Sequence, residues 1–343
     1  MGVQLTFPSE RTVSYIEQEE FPLKEDEVRV RTLFSGISAG TELASYRGSS
    51  PHLTKTWDAN ARLFRSGGTE PAFPVEVVGY EEVGEIVEVG HASGLQVGQL
   101  VWGTWGHNSA ATLKADFARQ RLLAPSADPR IGIFSHIGAV ALNAILDADI
   151  HVGETVVVFG LGVPGQIIAQ LARLNGAHVI VVDGIAERRD LALRLGAEVA
   201  LDPATADVAE QVRELTQGRG ADAVIEATGN YRALHEAIRT VAYNSRVCVV
   251  GFFQGEGHGL SLGEEFHHNR VQLISSQISG QGPHVQHRWD RLRLNCTIID
   301  LATTGTLDLI SLITQTVPFA QAGETYRMLD SNPSAALQVV LEF

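Results

Sequence analysis

Cysteine is scarce. The chain has 343 residues and 2 of them, Cys248 and Cys296, are cysteines, which excludes a disulfide framework and a cysteine-rich zinc site. Both sit among apolar neighbours and read as small buried hydrophobes. Basic residues are also few, 26 Lys and Arg against 40 Asp and Glu, for a net charge of −14. Such a chain repels nucleic acid and anionic membranes unless a basic patch intervenes. The densest basic segment, Arg288, Arg291 and Arg293, is too short for a nucleic-acid stripe and reads as solvated positions on one helix. Neither nucleic acid nor membrane is expected as a partner. The N-terminus has no basic segment leading into an apolar stretch. No run approaches the roughly 18 apolar residues of a membrane helix, so a cytoplasmic, reducing location is the expectation.

Glycine, by contrast, is abundant at 34 residues, and hydrophobic residues make up 44%, a globular balance with many tight turns. The length suits two domains, and the patterning changes along the chain. Through residue 125 it reads as strands and turns. Val28 to Phe34 alternates with Arg29 and Arg31 and runs into a turn at Ser35–Gly36; Val83 to Val89 alternates again; Val97–Val101 reads as a turn feeding a strand. Residues 48–74, rich in Gly, Ser and Pro, read as a long loop. From residue 137 helices alternate with apolar strands at Thr155–Phe159, His178–Val182, Val199–Leu201, Ala223–Glu226, Val247–Gly251 and Val271–Ser275. Apolar strands joined by helices imply a parallel sheet covered on both faces. The expected class is α/β: a doubly wound parallel-sheet domain over 126–277, and a mostly-β domain over 1–125 that 278–343 rejoins.

The strongest motif is Gly160–Leu161–Gly162–Val163–Pro164–Gly165, which follows an apolar strand and opens a helix. The first glycine permits the tight turn, the second lets the backbone approach a pyrophosphate, and the third lets helix pack on strand. The diphosphate then meets free N–H groups at the positive end of the helix, and Pro164 sits where a missing N–H costs little. Asp183, 18 residues beyond Gly165 at the end of the next strand, is placed to accept from ribose hydroxyls and to repel the extra phosphate of NADP. NAD is therefore the expected cofactor. Arg188 reads either as a phosphate partner or as a helix-surface charge. Ala227–Thr228–Gly229, Gly251 and Ser275–Ser276–Gln277 end further strands on the side where such sheets bind ligands; plain turn chemistry is the alternative for each.

Gly36–Ile37–Ser38–Ala39–Gly40–Thr41–Glu42, then Gly79–Tyr80–Glu81 with Val83–Gly84–Glu85, then Val97–Gly98–Gln99–Leu100–Val101 precede the glycine motif. In order and spacing this resembles the medium-chain dehydrogenase/reductase superfamily over nearly the whole chain. The resemblance implies a GroES-like mostly-β catalytic domain beside a Rossmann domain. It also implies a small-molecule substrate and a homodimer or homotetramer, with an edge strand near Val247–Gly251 or Val271–Ser275 pairing across a two-fold axis. Zinc-dependent members carry a cysteine where this chain has Ser38 or Ala39, and a histidine where it has Tyr80. Their third ligand would fall in Ser135–Val140, which holds no cysteine. Hydroxyls are poor zinc ligands, so no zinc and no other metal is expected. The pattern is similar to a zinc-free branch that includes bacteriochlorophyllide dehydrogenases.

Without the metal, a hydrogen-bonding acid or base must act on the reacting oxygen. The resemblance makes Tyr80 the candidate, with Glu42, Thr41 and Ser38 orienting it or relaying its proton; an aromatic packed into the vacated zinc pocket is the alternative. Trp105 and His107 are candidates for a substrate pocket, with core packing the equal alternative. His267 and His268 are further pocket candidates, with a solvated loop as the other reading. The expected activity is zinc-independent, NAD(H)-dependent interconversion of a secondary alcohol and its ketone, a sugar, cyclitol or other polyhydroxy compound being the favoured class. An NADPH-dependent reductase of activated C=C bonds or quinones is the alternative, and a non-catalytic NAD-binding sensor or scaffold is the alternative of another class.

Overall fold

A computed structural model describes residues 2–67 and 71–343. The chain divides into two compact units, Met1–His136 with Ile313–Phe343, and Ile137–Leu312.

The first unit begins with an antiparallel hairpin, β1 (Gly2–Thr6) and β2 (Ser14–Gln18). Its longest strand is β3 (Glu27–Ile37). Val28 and Val30 point into the core, while Arg29 and Arg31 point outward and pair with Glu88 at 2.9 Å and Glu85 at 2.6 Å on the neighbouring strand. The turn expected at Ser35–Gly36 does not form. Both residues are buried within β3, and the Gly36 N–H donates to the Glu81 carbonyl at 2.8 Å. Helix α1 (Ala39–Tyr46) follows directly. It carries no side-chain N-cap bond, and burial of Leu43, Ala44 and Tyr46 supplies what the local signal lacks.

Residues 48–74 are also more ordered than a loop. They hold α2 (Pro51–Thr54) and a hairpin of β4 (Lys55–Asp58) and β5 (Leu63–Ser66); residues 68–70 of this stretch lie outside the described residues. Then come β6 (Glu82–Val89), β7 (Leu100–Gly103), β8 (Ala110–Lys114), α3 (Ala115–Arg119) and a 3-10 turn at Pro129–Phe134.

The second unit is laid down by α4 (Ser135–Ala148), β9 (Thr155–Phe159), α5 (Val163–Leu174), β10 (His178–Val182), α6 (Ala186–Arg194), β11 (Val199–Leu201), α7 (Val208–Leu215), β12 (Ala221–Glu226), α8 (Tyr231–Thr240), β13 (Val241–Val249), β14 (Gln272–Ser275) and α9 (Arg291–Thr303). Its six strands are parallel in the order β11-β10-β9-β12-β13-β14. Counted from β9 this is the 3-2-1-4-5-6 order of a dinucleotide-binding sheet. Val182, Phe159, Glu226, Val249 and Ser275 stand side by side in register, so the carboxyl ends share one rim. The edge strand on this side is β14; Val247–Val249 lies inside the sheet, paired on both sides, and is not the edge expected of it.

The chain then returns to the first unit through β15 (Ile313–Pro318), α10 (Ala322–Ser331) and β16 (Gln338–Glu342). The sheet there runs β15-β16-β3-β6-β7, with β8 on β3. Tyr326 and Leu329 of α10 join Phe7, Tyr46 and Leu341 in its core.

The units meet the sequence at different points from those expected. Residues 126–136 stay with the first unit, because the 3-10 turn buries Ile131, Ile133 and Phe134 against β3, β6 and β7. Residues 278–312 stay with the second, because α9 buries Leu294, Ile298 and Ile299, with Ile298 seated over Gly138 of α4. The expected lack of a long apolar run also needs correction. Pro129–Ala148 is a continuous helical stretch of 20 residues that is long and apolar enough to cross a membrane; most of it is buried inside the protein, as a core helix is.

Candidate functional site

The second unit offers a cradle for a dinucleotide. The loop from β9 to α5 passes so tightly that a Cβ on Gly165 would collide with the Gly160 carbonyl oxygen. A Cβ on Gly162, by contrast, would project into open space, with Pro164 Cδ its nearest neighbour at 3.9 Å. The loop therefore bares its backbone at the positive end of the 12-residue α5. Asp183, just past β10, is tied to this loop: its Oδ2 accepts the Leu161 N–H at 2.7 Å and its Oδ1 the Ile185 N–H at 2.8 Å. Val163 and Pro164 form the first turn of α5. These residues fit a nicotinamide dinucleotide.

Arg188 lies on α6, half-buried, with its carbonyl accepting from Gln166 Nε2 at 2.8 Å. Its neighbour Arg189, which sequence reasoning missed, touches Asp183. Arg189 donates to the Asp183 carbonyl at 2.6 Å and pairs with Asp202 at 2.9 Å.

On the same rim, the fully buried Glu226 gathers its own turn. Its carboxyl accepts the Thr228 N–H at 2.7 Å, the Thr228 hydroxyl, and the Gly229 N–H at 3.3 Å. Burial raises its pKa against these bonds. The Ala227 N–H extends the sheet to the Phe159 carbonyl at 2.8 Å, and Gly251 backs closely onto Gly229. Ser275 is exposed at the end of β14, whereas Ser276 is buried and accepts from Asn143 Nδ2 at 3.1 Å. Gln277 closes its own turn on the Ser279 N–H at 2.6 Å. The side chains of Thr228, Ser276 and Gln277 are thus engaged within the unit.

The first unit brings Tyr80, Ser38, Thr41 and Glu42 together. The Tyr80 hydroxyl hydrogen-bonds Ser38 Oγ and lies 3.3 Å from Thr41 Oγ1, and its ring meets His136 edge-on at 4.9 Å. Burial, then the neighbouring Glu81, push the phenol well above its ordinary pKa, against the bonds from Ser38 and Thr41. Tyr80 therefore keeps its proton at neutral pH and is a donor.

Below this half-buried layer lies a sealed one. Glu42 Oε1 accepts the Ser38 N–H at 2.9 Å, and its Oε2 meets His107 Nε2 at 3.0 Å and the Tyr326 hydroxyl. His107 Nδ1 is 2.6 Å from Ser35 Oγ, which reaches Glu82 Oε1 at 3.2 Å. Glu82 Oε2 accepts the Trp105 N–H at 2.6 Å. Burial raises Glu82 to about 7, opposed by the His107 charge and by backbone N–H groups. Burial presses the His107 imidazolium down, but Glu42 and Glu82 together lift it above its ordinary value. Neither oxygen of Glu81 has a hydrogen-bond partner among the described residues; burial, then Glu42 and Glu82, raise its pKa well above the ordinary carboxylate value.

Four pocket candidates are relocated by the structure. His107 is completely buried beneath the Tyr80 layer. Trp105 donates its indole N–H to Thr32 Oγ1 at 2.9 Å and packs on the core of Val28, Val30, Ile86 and Val101. His267 and His268 are exposed and precede β14, so they stand at its amino end, opposite the rim that carries the glycine loop. Tyr326, Glu82 and Ser35 were missed. Tyr326 is 284 residues from Glu42, and no local pattern links the two.

The second unit holds a cradle that fits a nicotinamide dinucleotide, and the first holds a phenol that keeps its proton. Comparison with known proteins bears on the class. Residues 162–293 match the family model described as zinc-binding dehydrogenase. The chain is similar to D-guloside 3-dehydrogenase of Escherichia coli (strain K12), 30% identical over 99% of both chains. It is also similar to L-galactonate-5-dehydrogenase of the same organism, 30% identical over 65% of this chain and 62% of that one. Its fold matches the crystal structure of 2R,3R-butanediol dehydrogenase from Bacillus subtilis, with a TM-score of 0.78, 19% identity and 100% coverage of both. The chain belongs to the medium-chain dehydrogenase/reductase family, and it is an oxidoreductase acting on CH–OH groups with a nicotinamide cofactor.

The family model's name raises zinc. Zinc needs three or four N, S or carboxylate donors in tetrahedral array. The Tyr80 cluster offers two hydroxyls bonded to each other and two histidines, His136 edge-on to the Tyr80 ring and His107 turned to Glu42 and Ser35. Among the described residues the group with ligand spacing is His235, Glu264 and Glu265, in the second unit, where Glu265 also lies 3.7 Å from Arg239. Two hydroxyls bonded to each other are poor zinc donors.

Proposed function

We propose that this protein is a zinc-independent, NAD-dependent dehydrogenase of secondary alcohols in polyhydroxy compounds, working in either direction. The observation that carries the reading is the protonated Tyr80 phenol held by Ser38 and Thr41 in a cluster whose paired hydroxyls are poor zinc donors. The bound nicotinamide supplies a hydride acceptor for the carbinol carbon. The chain's own residues handle the proton: a secondary alcohol and the oxidised cofactor give a ketone, the reduced cofactor and one proton. In ketone reduction Tyr80 donates its proton to the developing alkoxide, and the Ser38 and Thr41 hydroxyls return one to it. In oxidation the same hydroxyls carry the proton away. Asp183, hung on the glycine loop, accepts from the ribose hydroxyls and repels the additional phosphate of NADP. The relatives' names, a guloside and a galactonate dehydrogenase, support a sugar-like substrate.

The test is a titration of metal-analysed protein with NADH and NADPH, read by energy transfer from tryptophan, followed by NAD reduction with methyl D-guloside and a polyol panel. NADH should bind more tightly. Tyr80→Phe should lower kcat by about 10²–10⁴-fold and leave NADH binding unchanged. Tighter NADPH binding, or turnover that requires stoichiometric zinc, would refute the reading.

A further inference from the structure

The contact between Tyr80 and Ser38 joins two segments far apart in sequence, and one buried side chain braces both. Ser38 is the N-cap residue of α1, yet its hydroxyl makes no capping bond. Glu42 accepts the Ser38 N–H, and the Ser38 hydroxyl meets Tyr80 instead of the helix. Glu42 in turn is oriented through its second oxygen by His107 and Tyr326. His107 also supports the opposite partner. Its backbone N–H donates to the Val78 carbonyl at 2.7 Å. The turn carrying Tyr80 crosses its ring at Gly79, whose φ is 90° and where an added Cβ would lie 2.7 Å from the imidazole.

We propose that His107 is a positioning residue: through Glu42 on one side and the Val78–Gly79 turn on the other, it holds the Ser38 and Tyr80 hydroxyls in register. The catalytic consequence rests on the reading of Tyr80 given above. The groups that face the imidazole are Glu42 from α1, Tyr326 from α10, Ser35 from β3 and Glu82 from β6, with Glu81 close by. Loss of the imidazolium proton would leave Glu42 with a weaker partner and loosen the Ser38 end of the contact. Activity should therefore fall as pH rises through the ionisation of His107.

The experiment follows Tyr80 itself. The chain has 6 tyrosines, so protein labelled with carbon-13 at the hydroxyl-bearing ring carbon gives few signals, and Tyr80→Phe assigns the one of interest. In the wild-type protein the Tyr80 signal should move as pH rises above the ordinary histidine value of 6.5. In His107→Gln it should be displaced and should move less with pH, the remaining movement coming from Glu82. Misplacement of this kind should lower kcat with methyl D-guloside by roughly ten- to a hundredfold and leave the Kd for NADH unchanged. Tyr326→Phe removes the other bond to the same Glu42 oxygen while keeping the ring. It should displace the signal less, and it replaces His107→Gln if that variant does not fold. A Tyr80 signal that overlays the wild type at every pH in the folded variant overturns the proposal. A displaced signal beside a Tyr80→Phe variant that turns over normally leaves the positioning intact and overturns the catalytic reading of Tyr80 instead.

Discussion

Glu226 in the second unit and Glu42 in the first are both sealed from water, 0% and 4% exposed, yet they are satisfied in opposite ways. Every polar partner of the Glu226 carboxyl lies two or three residues away, in the turn it closes. The partners of Glu42 are 4, 65 and 284 residues away. The contrast extends to the sites around them. The dinucleotide cradle is built of backbone amides and glycines, and it forms wherever its strand, turn and helix form. The proton-donor cluster is built of side chains from β3, Ser38 and α1, the Gly79–Tyr80 turn, β6, the loop after β7, and α10, and it exists only once the first unit has closed. A local device tolerates change in its surroundings; a long-range one couples stability, pH and catalysis.

The largest effect expected of this contrast is on stability. Glu42→Ala leaves His107 and Tyr326 without their shared partner and should cost about 3–5 kcal/mol in denaturant unfolding. Glu226→Gln retains an acceptor for its turn and should cost only about 1–3 kcal/mol; equal costs for the two would break the comparison. Next in size is cofactor choice. Asp183→Asn should narrow the preference for NADH over NADPH about tenfold, or ~1.4 kcal/mol, with Tyr80 chemistry untouched. An unchanged ratio in the titration would place selectivity elsewhere.

The smallest effect is the pH dependence of stability. Glu82 is raised from 4.5 to about 7, so between those values the native state binds more protons than the unfolded chain and stability falls as pH rises. His107, also raised above its ordinary 6.5, acts in the same direction: its contribution is complete below that value and is lost as pH climbs through the folded one. Thermal melts should drop by roughly 2–4 °C across neutrality. Glu82→Gln should flatten the lower part of the window, and melts of that variant that track the wild type would remove Glu82 from the account.

Legibility in the sequence follows the same division. The apolar strands and glycine-ended helices of the second unit declare themselves within ten or so residues, and the strands fall close to where the periodicity indicates, although β13 begins six residues earlier than expected, at Val241. The Gly160–Gly165 turn and Asp183 were visible for the same reason. The first unit was harder. The helix α1 has no capping signal and is stabilised by burial against α10, and the β4–β5 hairpin lies in a stretch whose composition reads as loop. Tyr80, Ser38, Thr41 and Glu42 were found through the spacing of a resembled motif, but their arrangement in two layers was not. Trp105 and His107 illustrate why: an aromatic and a histidine near a strand end look alike whether they face a ligand or the core, and only packing separates the two.

The amino-acid order alone determined the doubly wound sheet, the glycine loop and its acidic companion, because each depends on backbone geometry encoded in adjacent residues. Only the tertiary structure decided that Glu42 answers to His107 and Tyr326, that the Glu81 carboxyl is buried with no hydrogen-bond partner among the described residues, and that Arg189 reaches the Asp183 carbonyl. A buried polar group is satisfied by whatever the topology brings within hydrogen-bond reach, and a separation of 284 residues leaves no mark on the sequence near either partner.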